Sequence, residues 1–514
     1  MTKLFAAIDV GSYEVGMKIV EFSKKKGMKE IDYIRHRIEL GTDTYNTGKI
    51  SQERVDELCE TLLKFRQIME DYGVEDYRAY GTSAIRETEN TLIVTEQIKL
   101  RTGFTVGVLS NSEQRFLHYK AIASKNEIYE KIMNSSALVL DVGGGSIQLS
   151  LFEKDALVTT QNLRLGILRM RDSMMDFAVR SIFYEDLLTE LIDNQLDAFR
   201  RLYLDDGDKK IDSIVIIDDY ISHVINTFTG NRIVKRDELR RFVDIARTKS
   251  DEDLTRLVGL TEESASLLIP SVVLLKSIFE MTGAEHLWAP GISLADGIAY
   301  EYAQNNRFLK TIHDFENDAL ECAKRMAVKY GGNLERNALV ENIAQELFTK
   351  TKKLHGMGKR ELLLLRIASV LNDCGKYISL EGAAEAGYSI IMASEILGLS
   401  HVERQIIASV VRYNKVVFDY YREIASEMLI DREHYLTIVK LSALFRLADG
   451  ICRSYRTKVK DIKVTLKDGK LIILVDADEN ISLEQRFFKR KSDFFTEVFS
   501  VEVVLKYNRQ LSAI

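Results

Sequence analysis

Two apolar runs, each closed by Asp-Val-Gly, set the hydrophobic pattern of the first part of the chain. Leu4 to Ile8 is apolar, Asp9-Val10-Gly11-Ser12 follows, and alternation resumes through Val15, Met17 and Ile19. Ala137 to Leu140 repeats the arrangement, with Asp141-Val142-Gly143-Gly144-Gly145-Ser146 and then Ile147, Leu149 and Leu151. Both stretches predict strand, glycine turn, strand. A P-loop or a dinucleotide-binding turn would place a helix after the glycines, so the pattern fits neither.

Between these hairpins the pattern alternates helices and short strands. Gly41 to Ile50 is polar and reads as a loop. Ser51 is a candidate N-cap for a helix carrying Val55, Leu58, Leu62 and Ile68 and stopping near Gly73. A strand, Tyr77 to Tyr80, leads into Gly81-Thr82-Ser83-Ala84-Ile85-Arg86. Arg86 lies about one helical turn beyond Thr82, so a helix beginning at Ser83 would put both at its N-terminus, a natural anion site. An ordinary cap followed by a surface arginine explains that segment equally well. A helix from Thr91 to Arg101, a strand from Phe104 to Leu109 and a helix capped by Asn111 or Ser112 follow. Glu113 sits in that last helix's first turn, where the dipole keeps a carboxylate ionised. Such a residue suits a general base that orients water, and it suits plain capping better still on the residues alone.

The second half, 126–305, contains a loop at Leu163-Arg164-Leu165-Gly166 and helices through about Leu202. Its strand Ile214 to Ile217 ends in Asp218-Asp219-Tyr220 without a glycine. Gly259 to Pro270 and Gly291 to Gly297 are further loop candidates. From Arg307 onward the pattern is helical. Leu339, Ile343 and Leu347, then Val402, Ile406 and Val410, mark core faces. A helix with Leu436, Val439, Ala443 and Leu447 ends near Gly450. A hairpin about Asp468-Gly469 and a strand from Val501 to Tyr507 close the chain. The basic run Arg486 to Lys491 reads as a solvated helix face over a small core.

Composition changes this picture little. The 514 residues suffice for three or four domains, and 46% hydrophobic content supports sizeable cores. A net charge of −6 argues against bulk nucleic-acid binding. No apolar window is long enough for a membrane span, and the N-terminus lacks a signal-peptide layout, which points to the cytoplasm. Cys59, Cys322, Cys374 and Cys452 are scattered, with no disulfide framework or zinc knuckle.

The chemistry lies in the turns. Consecutive glycines let backbone N–H groups approach an anion, and Ser146 adds a hydroxyl. Asp141 would repel a bare phosphate, so it is better placed to hold a cation that the phosphate shares. Two such hairpins suggest a duplicated phosphate-binding unit facing itself across a cleft, an arrangement that resembles the superfamily of actin, sugar kinases and acetate kinase.

Taken in order, Asp9-Val10-Gly11-Ser12, Gly81 to Arg86, Glu113 after Leu109-Ser110, and Asp141 to Ser146 resemble the exopolyphosphatase and guanosine pentaphosphate phosphohydrolase family. Downstream, Leu371-Asn372-Asp373-Cys374-Gly375-Lys376 and Arg446-Leu447-Ala448-Asp449 resemble the helical domain of its longer members. The resemblance implies two α/β ribonuclease-H-like (actin-like, sugar-kinase-like) domains at 1–125 and 126–305. An all-α HD-like domain at 306–455 and a small α+β tail at 456–514 would follow. It implies a phosphohydrolase acting on polyphosphate or guanosine pentaphosphate, with neither nucleic acid nor membrane as partner. Phosphates would be held by Gly11, Ser12, Gly81, Thr82, Arg86, Gly143, Gly144, Gly145 and Ser146. Glu113 would activate water, and Asp9 and Asp141 would position Mg²⁺.

The chain departs from the family pattern in several places. Ile147 and Gln148 stand where a threonine and a glutamate are usual, and an amide is no anionic metal partner. Asp218-Asp219 replaces a glycine turn, and Leu294-Ala295-Asp296-Gly297 lacks an expected arginine. Asn372 replaces the histidine before Asp373, 382–388 holds no histidine, and Asn414 stands where another histidine is expected. A metal site from Asp373 and Asp449 alone is implausible. The helical domain then reads as a scaffold for a homodimer or for extending a polyphosphate channel. These departures keep open a third reading beside the two hydrolases, a polyphosphate or alarmone sensor without turnover.

Overall fold

The computed structural model describes residues 2–24, 27–125, 135–153, 156–175, 184–205, 211–249, 251–259, 262–309, 314–421, 431–452, 458–477 and 479–509. The chain forms two compact units, Met1–Asp314 and Phe315–Ile514.

The first unit contains two sheets with one repeated topology. β1 (Thr2–Val10), β2 (Glu14–Ser23) and β3 (Gly27–Arg37) form an antiparallel meander. β4 (Asp76–Gly81) and then β5 (Val106–Val108) add in parallel on the other side of β1. In the second sheet, β6 (Ala137–Val142), β7 (Ile147–Glu153) and β8 (Ala156–Leu163) make the meander. β9 (Ser213–Ile217) pairs in parallel with β6, β10 is Ile233–Lys235, and β11 (His286–Trp288) pairs in parallel with β9. Read outward from β1 and β6, the sheet orders β3-β2-β1-β4-β5 and β8-β7-β6-β9-β11-β10 correspond over five strands, and β10 is an addition at the edge of the second sheet. The duplication suggested by the two Asp-Val-Gly turns is therefore a duplication of topology.

β1 and β6 are central because they can be buried. β6 is buried along its whole length, and Phe5 to Ile8 is fully buried in β1. Helices behave as their punctuation dictates. Gln52–Tyr72 starts at Ser51, whose side chain accepts from Arg54 N–H, and stops at Gly73 with φ 71°. Leu294–Asn305 packs on the first sheet, where Leu294, Ala295, Ile298 and Tyr302 join Phe5, Phe22 and Leu117 in one cluster.

The polar segment read as a loop is instead a helix, Leu40–Thr47, ended by Gly48 at φ 79°. It has no apolar stripe of its own. Its order comes from tertiary contacts: Thr44 Oγ1 donates to Ala84 O, and Gly41 fits closely against Ser12 and Leu168. Strands β3, β8, β10 and β11 also had no sequence-level expectation.

Among the described residues, the second unit packs seven longer helices: Phe315–Lys329, Leu334–Lys350, Lys359–Val370, Ala383–Ala393, His401–Tyr413, Arg432–Ile451 and Ser482–Phe499. The hairpin β12 (Val459–Lys467) and β13 (Lys470–Ala477) turns at Asp468-Gly469, both at positive φ. β14 (Glu502–Arg509) lies parallel to β13. Ile473, Val475, Phe488 and Phe495 share one buried cluster with Leu444 and Leu447, so sheet and helices have a common core.

Candidate functional site

The three glycines after β6 are bolted down by their carbonyls. Gly143 O accepts from Ile167 N (3.0 Å), Gly144 O from Arg169 N (3.1 Å) and Gly145 O from Arg169 Nε (3.0 Å). In a trans peptide the N–H points away from the C=O. The N–H groups of Gly144, Gly145 and Ser146 are thus turned away from the helix Ile167–Met175, and Gly143, Gly144 and Ser146 line a cleft. Gly166 makes this fit possible. A Cβ there would lie 2.2 Å from Gly144 C and 2.3 Å from Gly145 C.

The opposite wall comes from the first sheet. Gly11 N donates to Glu14 O (3.0 Å), closing the turn between β1 and β2. Ser12 Oγ lies 2.8 Å from both Ser83 Oγ and Tyr45 OH, which are 3.0 Å apart, so three hydroxyls form a closed triangle. Tyr45 stands behind it, against Gly145, with Arg169 over its ring.

Of the residues expected to bind phosphate or metal, Asp9, Gly11, Ser12, Thr82, Asp141, Gly143, Gly144 and Ser146 line this one cleft. Gly81, Arg86 and Gly145 do not. Gly81 is pressed against Ile85, and Gly145 against the Tyr45 hydroxyl. Arg86 Nη1 donates to Leu109 O (2.7 Å) and Gln114 Oε1 (3.3 Å), so it braces the start of the helix Asn111–Ala123.

Glu113 lies in the first turn of that helix. The cap is Ser110, and Glu113 is its reciprocal partner: Ser110 N donates to Glu113 Oε2 (2.9 Å) and Glu113 N to Ser110 Oγ (3.3 Å). Gln114, its neighbour, faces the cleft instead. Glu113→Gln should therefore lower thermal stability by about 1 kcal/mol or less while leaving phosphate release within about twofold of wild type. A hundredfold drop in release from a folded variant would restore Glu113 to the chemistry.

The same helix supplies residues the sequence reading passed over. His118 lines the cleft, with Nδ1 2.7 Å from Asp141 Oδ2. Arg115 Nε donates to Gln148 Oε1 (2.7 Å), and Gln148 is the cross-strand partner of Asp141. Gln114, Arg115 and His118 recur at three- and four-residue spacing, a polar stripe on a mostly buried helix that was a legible signal. Asp218 also lines the cleft, and its carboxylate caps the helix Asp219–Thr229 by accepting from Ile221 N. The Asp219 side chain lies outside the described residues.

Among the described residues lining the cleft, Asp9, Glu14, Asp141 and Asp218 are acidic and none is lysine or arginine. A phosphate chain entering there must bring positive charge. Mg²⁺ is held by one or two carboxylates together with substrate phosphates, so Asp9 and Asp141 fit such an ion. Among the described residues no three His, Cys, Asp or Glu side chains converge to hold a metal by themselves.

In the second unit, Asn372, Asp373, Asn414 and Asp449 do converge, and the protein's own cations lie among them. Arg336 pairs with Asp449 and, at 3.5 Å, with Asp373. Lys491 Nζ reaches Asp449 Oδ2 (2.7 Å) and Asn414 Oδ1 (2.6 Å), and Lys376 reaches Asp373 (2.8 Å). Asn372 Nδ2 donates to Asp449 Oδ1 (3.1 Å). Burial alone would raise the Asp449 carboxyl, but Lys491 and Arg336 hold it far below the usual range. The basic run expected on a solvated face thus sends Lys491 inward.

Two family models match, the Ppx/GppA phosphatase family over residues 19–306 and domain III of the Ppx/GppA phosphatases over 320–491. The chain belongs to the Ppx/GppA phosphatase family. Its curated Ppx/GppA relatives include a guanosine-5'-triphosphate,3'-diphosphate pyrophosphatase of Photobacterium profundum. That protein is 20% identical over 481 residues, covering 93% of this chain and 92% of its own. The protein of the same name from Aliivibrio fischeri strain ES114 is 20% identical over 451 residues, 87% and 86% of the two chains. A crystal structure of an exopolyphosphatase from Cytophaga hutchinsonii aligns at TM-score 0.51 and 17% identity, over 59% of this chain and 98% of its own. That likeness is one of fold. Among the described residues no helix is long and apolar enough to cross a membrane.

Proposed function

We propose that this chain is an exopolyphosphatase-like phosphohydrolase that releases orthophosphate from the ends of polyphosphate chains. The observation that carries it is the pair of Asp-Val-Gly turns, one from each sheet, lining a single cleft with Ser12, Thr82, Ser83 and Ser146. The terminal phosphate sits on the N–H side of the Gly143–Ser146 turn and against the Ser12 and Ser83 hydroxyls. Asp9 and Asp141 hold the Mg²⁺ that enters with the chain and neutralises its charge. Phosphoryl transfer through a loose transition state needs positioning more than a strong base. Gln114 and His118, one helical turn apart, orient the attacking water.

Guanosine pentaphosphate is the alternative substrate, since curated relatives carry that activity in their names. Asp218 in place of a glycine turn at the cleft favours a plain phosphate chain. A sensor reading has its own support: Gln114 and Gln148 are amides at the cleft. The second unit serves as an HD-like scaffold whose metal positions are filled by Arg336 and Lys491, and the whole acts in the cytosol. Orthophosphate release from long-chain polyphosphate and from guanosine pentaphosphate, each with Mg²⁺, tests this. Release from polyphosphate at the faster rate is expected. Release from guanosine pentaphosphate alone would reverse the order, and binding of either without release would leave the sensor.

A further inference from the structure

Gln148 stands where a glutamate is usual, as an amide that is no anionic metal partner. Its surroundings give it a different task. An arginine Nε–H can only donate, so the atom of Gln148 it meets at 2.7 Å must be the amide oxygen. Arg115 is itself 4% exposed on the buried side of its helix, so this oxygen is held inside the protein. The amide nitrogen therefore points the other way. Gln148 is 2% exposed, its nitrogen makes no hydrogen bond among the described residues, and the residue lines the cleft.

Resting on the phosphohydrolase reading, we propose that Gln148 is a phosphate-binding residue whose amide N–H donates to a phosphoryl oxygen of the chain, with Arg115 as the positioning residue that fixes the amide. The position opposite Asp141 thus faces the anion rather than the metal. A glutamate there would be acceptor only, would pair with Arg115, and would add a fifth carboxylate to a cleft already lined by Asp9, Glu14, Asp141 and Asp218.

The test is calorimetric binding of inorganic tripolyphosphate at excess Mg²⁺ to wild type, Gln148→Met, Gln148→Glu, Arg115→Met and Arg115→Lys, each checked for an unchanged melting transition. Gln148→Met removes the donor at similar volume and should weaken binding about tenfold or more. Gln148→Glu should weaken it further. Arg115→Met frees the amide to rotate and should cost less than Gln148→Met, while Arg115→Lys, which still donates to the amide oxygen, should recover most of that loss. Where turnover is measurable, the loss should fall on KM rather than kcat. Unchanged binding in Gln148→Met, or tighter binding with a lower Mg²⁺ requirement in Gln148→Glu, would overturn the proposal and return position 148 to the metal. If Arg115→Met alone is unfolded, the two Gln148 variants decide. Wild type that fails to bind tripolyphosphate at any Mg²⁺ concentration would overturn the phosphohydrolase reading itself, and this inference with it.

Discussion

Gly166→Ala should reduce phosphate release by about 10²-fold or more, because it displaces the turn proposed to hold the phosphate. The new Cβ would fall 2.2 Å from both the carbonyl carbon and the oxygen of Gly144. These are backbone atoms, and the oxygen is held by Arg169 N, so no side chain can swing aside. The turn must move, and with it the N–H groups of Gly144, Gly145 and Ser146. Gly230→Ala is the control, since nothing lies within 4 Å of its Cβ position. Its φ of 68° gives a modest stability loss of about 1 kcal/mol with the cleft untouched. Steady-state phosphate release, with melting curves for both, is the measurement. A Gly166→Ala enzyme as active as wild type would show that the turn tolerates the shift.

Arg336→Leu should destabilise the second unit by about 3–5 kcal/mol, the cost of leaving a buried charge without its partner. Asp373 and Asp449 are 6% and 3% exposed, and Arg336 is the guanidinium shared between them. Because Lys491 also reaches Asp449, the loss should sit at the lower end of that range. The Asp449 carboxyl is depressed in the folded state, so its pairing contributes fully above the unfolded carboxylate value, about 3.9, and is lost as pH falls below it. The difference between wild type and variant, read from urea unfolding, should therefore be largest near neutrality and shrink in acid. A second variant, Arg336→Leu with Asp449→Leu, should recover part of the loss, since an apolar pair can replace a buried ion pair. A difference that stays constant on acidification would mean Arg336 acts through packing alone.

The sequence legibly carried the parts of this protein that are local. Asp-Val-Gly followed by alternating apolar residues gave both hairpins, since period-two burial and glycine turns are written residue by residue. Ser51 with Gly73 bounded one helix, and Asp468-Gly469 the last hairpin, since caps and turns depend on a few adjacent residues. The repeat of the motif foretold the repeat of sheet topology, and with it Asp9, Ser12, Asp141 and Ser146 in one cleft.

Only the tertiary structure decided what each side chain meets there. Glu113 and Gln114 are neighbours, about 100° apart around a helix, and the docking of that helix turned the glutamate to its own cap and the amide to the cleft. The segment around Tyr45 has no apolar periodicity, and it is helical because Ser12, Ala84 and Leu168 receive it. Lys491 lies in a run that looks solvated, and it turns inward because Asp449, more than forty residues away in sequence, is buried beneath it. Gln148 reads as a carboxylate lost, and Arg115 from another element makes it a fixed donor. Each of these rests on a partner distant in sequence, and a contact between distant residues has no local pattern through which it can be read in advance.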